Sequence, residues 1–240
     1  MNNIAISQPM YFPWIGLFEQ ILLSDIFVFY DDVQFSKGSF TNRVQIKTPQ
    51  GSRWITVPIK KSKLNTKINE VYIDNKKNWK ESHLSSLKST YGNHKYFEDV
   101  LKIVSEVFIH DYKNISELSS NSIIEVLKYF NIKKDIFFSS SLDISSSNSD
   151  RVLKIVKYFD SKNYITGHGA KNYLNHELFE QNNINVMYMN YSHIKYPQKY
   201  GTFTPYVSIL DLIANNGYKS IDYFKPKTIG WKNFLLGELK

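Results

Sequence analysis

Cysteine is absent from this chain, which excludes disulfides, thiolate zinc sites and a cysteine nucleophile. No run approaches the roughly 18 consecutive apolar residues that a membrane span requires, and the first residues lack the basic segment and long apolar stretch of a secretory signal. A cytoplasmic protein with no membrane span is the expectation. Arginine is scarce: Arg43, Arg53 and Arg151 are three among thirty basic residues. His83, His94, His110 and His176 fall on helices or turns expected to be exposed, with no i, i+4 pair and no clustered carboxylates, so no metal is expected. No internal repeat is found, and low-complexity sequence is confined to the serine-rich stretch 145–151.

What is present suffices for a sizeable core. With 240 residues and 42% hydrophobic content, the chain reads as a single α/β domain over 1–240, with 143–149 as the candidate internal boundary. A formal charge of +8 favours phosphate-bearing partners. Abundant Lys, Asn and Ile match a bias toward AT-rich codons, and no recognition-helix, zinc-finger or sheet-aromatic signature accompanies the charge, so a nucleic-acid partner is not expected.

The first forty residues carry the densest polar chemistry. Ile4-Ala5-Ile6 reads as a strand stopped by Gln8-Pro9. Trp14, Leu17, Phe18, Ile21 and Leu22 recur at helical spacing, and Ile26 to Tyr30 reads as a second strand. A strand, loop, helix, strand unit makes two parallel neighbours, and ligands of open α/β sheets sit at the carboxyl ends of such strands. Gln8, Asp31 and Asp32 share that edge. Beyond it, segments 40–47 and 54–60 flank a Pro/Gly turn at 48–52 and predict a β-hairpin. Amphipathic helices are predicted over 79–91, 94–109 and 115–129, a strand over 137–142, and a helix beginning near Arg151 with Ser149 or Asp150 as its cap. A further strand, Tyr164 to Thr166, runs into Gly167-His168-Gly169-Ala170.

The candidate site residues follow from that layout. Gly16, near a helix start, lets backbone amides approach a phosphate, while Tyr11 and Trp14 either line the site or pack as core. Of Asp31 and Asp32 only one enters a given site, because adjacent strand residues point to opposite faces. Asp32, which shares its face with Gln34, is the candidate general base, and its neighbour is the candidate partner of Arg43 or a turn former. Arg43, beside Asn42, and Arg151 serve either as bidentate clamps for phosphate or carboxylate or as structural ion pairs. Lys37 and Lys47 add charge to the same rim. Gly167, His168, Gly169 and Lys171 bring backbone amides, an imidazole and an ammonium toward one anion, with His168 as acid/base or anion contact. His193 to Gln198, with 202–206, forms an aromatic and proline loop that either walls a pocket, through Tyr196 and Gln198, or covers the sheet. Asp211, in an apolar helix, is expected to hydrogen-bond into that preceding loop.

Together, Gln8 to Gly16, Asp31-Asp32-Val33-Gln34-Phe35, Asn42-Arg43, Trp54 to Pro58, Ser149-Asp150-Arg151, Gly167 to Leu174, and Tyr196-Pro197-Gln198 with Phe203 to Tyr206 resemble the WbqC-like family, found among bacterial genes for O-antigen and other surface polysaccharides. Family members often carry His before the Gln-Pro pair, where this chain has Ser7. The order of elements also resembles nucleotidylyltransferase-like α/β folds, whose paired nucleotide-binding histidines are replaced here by Ser7 and Leu17. The resemblance implies a Rossmann-like, mostly parallel sheet with a β-hairpin insertion and flanking helices. It further implies an enzyme of O-antigen and lipopolysaccharide synthesis that transfers an acyl or aminoacyl group to the amine of a nucleotide-linked amino sugar. Its partners are then that sugar and an acyl or aminoacyl donor, and its cofactor is left open between a nucleotide and an acyl carrier. The alternatives are a non-catalytic glycan or nucleotide-sugar binding module and an ATP-dependent amide ligase working through an acyl-adenylate.

Overall fold

The computed structural model describes residues 2–237. The predicted first unit forms as β1 (Asn3–Ser7), α1 (Ile15–Leu23) and β2 (Ile26–Phe29), with β1 and β2 parallel and Ile4 opposite Ile26. The hairpin is β3 (Arg43–Thr48) and β4 (Gly51–Thr56), a separate antiparallel pair. Its turn is tighter than predicted: Pro49 and Gln50 alone connect the strands, with Gly51 at φ +108°, a backbone that L side chains rarely adopt. Helices α2 (Trp79–Tyr91), α3 (Phe97–Phe108) and α4 (Ile115–Tyr129) follow. The second starts three residues later than its periodicity suggests, because His94 is held in the turn between the rings of Tyr91 and Tyr200.

Two further boundaries move for reasons outside their own segments. The strand predicted over 137–142 is β5, Asp135–Phe138, and the chain then winds into a single 3-10 turn at Ser139–Ser141. Asp31 causes the change by accepting from the Ser140 backbone amide at 3.0 Å and from the Ser140 hydroxyl at 2.8 Å. The next helix, α5, spans Asn148–Tyr158 with Ser147 as its cap. Ser149 is therefore not the cap; its hydroxyl donates to the Tyr173 carbonyl and accepts from the Asn175 amide. The chain continues through β6 (Asn163–Thr166), a 3-10 turn at His168–Asn172, α6 (His176–Gln181), β7 (Asn185–Met189), α7 (Ile209–Asn216), β8 (Thr228–Gly230) and α8 (Trp231–Leu235).

The main sheet has the order β5-β2-β1-β6-β7-β8, parallel except for β8 at one edge. This is a Rossmann-like arrangement flanked by helices, with the hairpin outside the sheet. The serine-rich stretch lies between β5 and β6, two strands of this one sheet. Period-two alternation divides the core. Ile4, Ile6, Ile26, Val28 and Tyr164 face Val152, Ile155 and Val156 of α5, whereas Ala5, Phe27, Phe29 and Ile165 face Leu17, Phe18 and Ile21 of α1. Strand order runs outward from β1 in one direction through β2 and from β6 in the other, so the topological switch point lies between β1 and β6.

Candidate functional site

A cleft of about 690 Å³ opens at that switch point. The register Ala5 to Ile165 sets the carboxyl end of β1 beside the end of β6, and Ser7, Gln8, Thr166, Gly167, His168 and Gly169 line the gap between them. The loop after β1 is held from several directions. Phe12 adopts φ +40°, a costly backbone for an aromatic residue. It is kept there by the Ser122 hydroxyl, which accepts its amide at 2.8 Å, and by the Ser208 hydroxyl, which donates to its carbonyl at 2.8 Å. Trp14 then folds back over the first turn of α1. A Cβ on Gly16 would stand 2.2 Å from the indole, so this glycine makes room for the ring.

The opposite wall is aromatic. Trp14 meets Tyr191 at a centroid distance of 4.7 Å and Tyr206 at 5.2 Å, both angled rather than stacked face to face. The Tyr206 hydroxyl and His193 Nε2 hydrogen-bond at 3.0 Å. Burial, and next the Glu19 carboxylate, push the Tyr191 phenol above its ordinary pKa, so it stays a neutral donor. His168 packs beside Tyr191 at 5.0 Å and Phe234 at 4.9 Å. Its Nε2 lies 2.7 Å from the Met189 carbonyl. A carbonyl only accepts, so Nε2 carries the hydrogen and, in the neutral ring, Nδ1 keeps the lone pair. The floor includes Gln20, whose amide donates to the Ile165 carbonyl at 3.1 Å.

Of the predicted site residues, the cleft brings together Gln8, Trp14, Gly167, His168 and Gly169. Lys171 is exposed on the following turn and does not line it. The paired aspartates take other roles. Asp31 caps the 139–141 turn, and Asp32 forms an ion pair with Arg151 and accepts from the Ser139 hydroxyl. Burial opposes ionisation of Asp32, but Arg151 and Ser139 outweigh it and hold the carboxyl below its usual range. A carboxylate so held is a weak base, and it lies outside the cleft lining. Arg43 pairs with neither aspartate. Its guanidinium lies 4.1 Å over the Trp54 ring and donates to the Gly38 carbonyl.

The remaining candidates also sit elsewhere. Tyr11 is fully buried, with its hydroxyl on His83 Nδ1 at 3.0 Å, and Asn42 donates to the Val57 carbonyl. Gln34 and Lys37 border a second, exposed groove. Tyr196 and Gln198 bind Asp211 at 2.6 and 2.8 Å, while Gln198 accepts from Lys47 at 2.7 Å. Asp211 thus reaches the preceding loop, as expected, but that arrangement is a buried strut and not a ligand wall. His83, His94 and His176, expected to be exposed, are buried. Phe40, Gln20 and Tyr191 line the cleft without having been singled out from the sequence. Gln20 left a trace: with Glu19 it is one of two polar side chains in an otherwise apolar helix.

Comparison with known proteins identifies the family. The chain matches the WbqC-like protein family over residues 8–223. It is 31% identical over 228 residues to the uncharacterized protein Rv1507c of Mycobacterium tuberculosis, covering 94% of this chain and 98% of that one. No solved structure matches. The matched span begins just after β1 and ends before β8, so it takes in β2, β5, β6 and β7 of the sheet and the cleft lining from Gln8 onward, and on the basis of a match over most of its length the chain belongs to the WbqC-like protein family.

Proposed function

We propose that the protein is an enzyme of bacterial surface-polysaccharide synthesis that transfers an acyl or aminoacyl group to the amine of a nucleotide-linked amino sugar bound in the cleft. One observation carries the reading: an imidazole with its tautomer set by the Met189 carbonyl stands on the wall of the cleft at the switch point. Attack by a sugar amine on the acyl carbon forms the amide bond and breaks the bond from that carbon to its carrier; the nitrogen gives its proton to His168 Nδ1, which passes it to the departing carrier group. Amides near Gly167 and Gly169 supply donors for the negative charge that develops on the acyl oxygen. Trp14, Tyr191 and Tyr206 offer faces for a base or sugar ring.

A second reading, a non-catalytic glycan or nucleotide-sugar binder, is favoured by the lining itself, which among the described residues contains no lysine, arginine, aspartate or glutamate. The same feature ranks an ATP-dependent ligase behind both, since a triphosphate brings more charge than the diphosphate of a nucleotide sugar to a lining that offers no ammonium or guanidinium among the described residues.

Thermal shift with uridine and thymidine diphosphate sugars, ATP and acyl-coenzyme A identifies the ligand class. A ligand at a hundred times its Kd adds about 2.7 kcal/mol, or roughly 5–10 °C for a chain of this size. Mass spectrometry then looks for the new amide. His168→Gln keeps a donor for Met189 and removes the base, so kcat is expected to fall about 10²- to 10⁴-fold with KM nearly unchanged. Ligand stabilisation with no amide from any donor would instead establish the binding module.

A further inference from the structure

The net charge of this protein is not spread over it. Between residues 33 and 80 the sequence holds eleven lysines and arginines against two acids, Glu70 and Asp74, a net of +9 where the whole chain carries +8. The Rossmann-like body outside this segment is therefore nearly neutral, and the excess belongs to the hairpin and the loops around it. Eight of these cations are exposed, among them Lys37, Lys60, Lys61, Lys63 and Lys67, and among the described residues none of these five forms an ion pair. Lys37, Lys60, Lys61 and Lys63 border a groove of about 750 Å³, separate from the cleft, whose other borders include Phe35, Ile59 and Leu64. Leu64, between Lys63 and Asn65, is 86% exposed.

We propose that this groove and the 60–67 loop form a docking surface for the anionic face of a lipid bilayer, which holds the protein at the membrane without spanning it. Two properties select a bilayer. Uncompensated lysines on one side of a near-neutral body are attracted to acidic headgroups. An exposed leucine next to Lys63 and within four residues of Lys60, Lys61 and Lys67 inserts at the headgroup and acyl boundary, where lysine stems lie along apolar surface and the ammonium groups stay in water. A nucleic acid would be served by open aromatic platforms among the cations; among the described residues Phe35 is the one aromatic bordering this groove, and the nearby exposed Tyr72 already has the Lys60 ammonium 6.0 Å over its ring. The surface shares its supporting loop with the cleft, since the chain from Gln34 to Phe40 borders the groove at one end and the cleft at the other. A bound protein would present its cleft close to the bilayer.

The test is sedimentation of the full chain with phosphatidylcholine vesicles containing or lacking phosphatidylglycerol. Binding is expected to the anionic vesicles only and to weaken as salt rises. The variant carrying Lys60→Gln, Lys61→Gln and Lys63→Gln is expected to lose on the order of a hundredfold in partition, about fivefold per lysine. Leu64→Ser is expected to lower the partition that persists at high salt, and Lys219→Gln with Lys232→Gln, remote in sequence from the groove, to leave it unchanged. Circular dichroism confirms that each variant folds. Equal binding to neutral vesicles, no binding at all, or undiminished binding by the triple variant would overturn the proposal. So would salt-dependent retention on duplex DNA without vesicle binding, which would make the surface a nucleic-acid one. None of these readings depends on turnover in the cleft.

Discussion

At the scale of single residues, burial decides what a side chain does. His83 has an unremarkable sequence context, yet the fold encloses it with Nδ1 accepting from the Tyr11 hydroxyl and Nε2 donating to the Thr56 carbonyl at 3.2 Å. Desolvation, only partly opposed by that carbonyl, pushes its pKa down to about 4. The unfolded chain takes up this proton near pH 6.5, and the folded chain does so only near 4. Stability is therefore complete above about pH 6.5 and is lost as the pH falls toward 4, by on the order of 3 kcal/mol. Urea midpoints measured between pH 7 and pH 4 should follow that slope. His83→Gln should reduce it, leaving the parts due to His94, shifted the same way by burial and then by Lys199, and to His176, shifted the same way by burial. An unchanged slope would remove His83 as its source. The aspartates teach the same lesson. The sequence shows two carboxylates at a strand end, but not that Ser139, Ser140 and Arg151, more than a hundred positions away, would occupy both.

At the scale of elements, local pattern carried most of the information and failed where a distant partner intervened. Helices at 79–91 and 115–129 form where their apolar stripes fall, because stripe and helix share one period. β5 ends early because Asp31 offers the Ser140 amide a better partner than a ladder would. The first turn of α1 shows how one signal admits two causes: Gly16 was legible as a position that tolerates no side chain, but the intruder is Trp14 and not a phosphate. Gly16→Ala should cost about 1–3 kcal/mol from overpacking, reduced by up to about 1 kcal/mol of helix propensity. In a Trp14→Ala background the same change should be neutral or stabilising, and the difference between the two is the coupling energy. Chemical denaturation of the four proteins measures it. Equal effects in both backgrounds would show that the indole does not rest on Gly16.

At the scale of the molecule, the cleft depends on segments that meet only in the folded chain. Lys47, buried on the hairpin, donates to Gln198 and to the Thr202 carbonyl. Gln198 and Tyr196 in turn bind Asp211 of α7. This strut fixes the segment that supplies His193 and Tyr206 to the cleft. Lys47→Met leaves those acceptors without the ammonium, so trypsin should cut after Lys195 or Lys199 at least tenfold faster, with ligand stabilisation reduced. Limited proteolysis followed by mass spectrometry reads both sites, and unchanged cleavage would show that the strut does not hold the loop. The sequence by itself determined the α/β class, the hairpin, most helices and the two strand-to-helix junctions. These rest on periodicity and turn chemistry, which act between residues close in the chain. Only the tertiary structure decided that the ends of β1 and β6 adjoin, that His168 joins Trp14 there, and that Asp32, Arg43, Tyr196 and Gln198 serve the scaffold. Strand order and register set those meetings, and both arise from contacts between residues far apart in sequence, which no local pattern encodes.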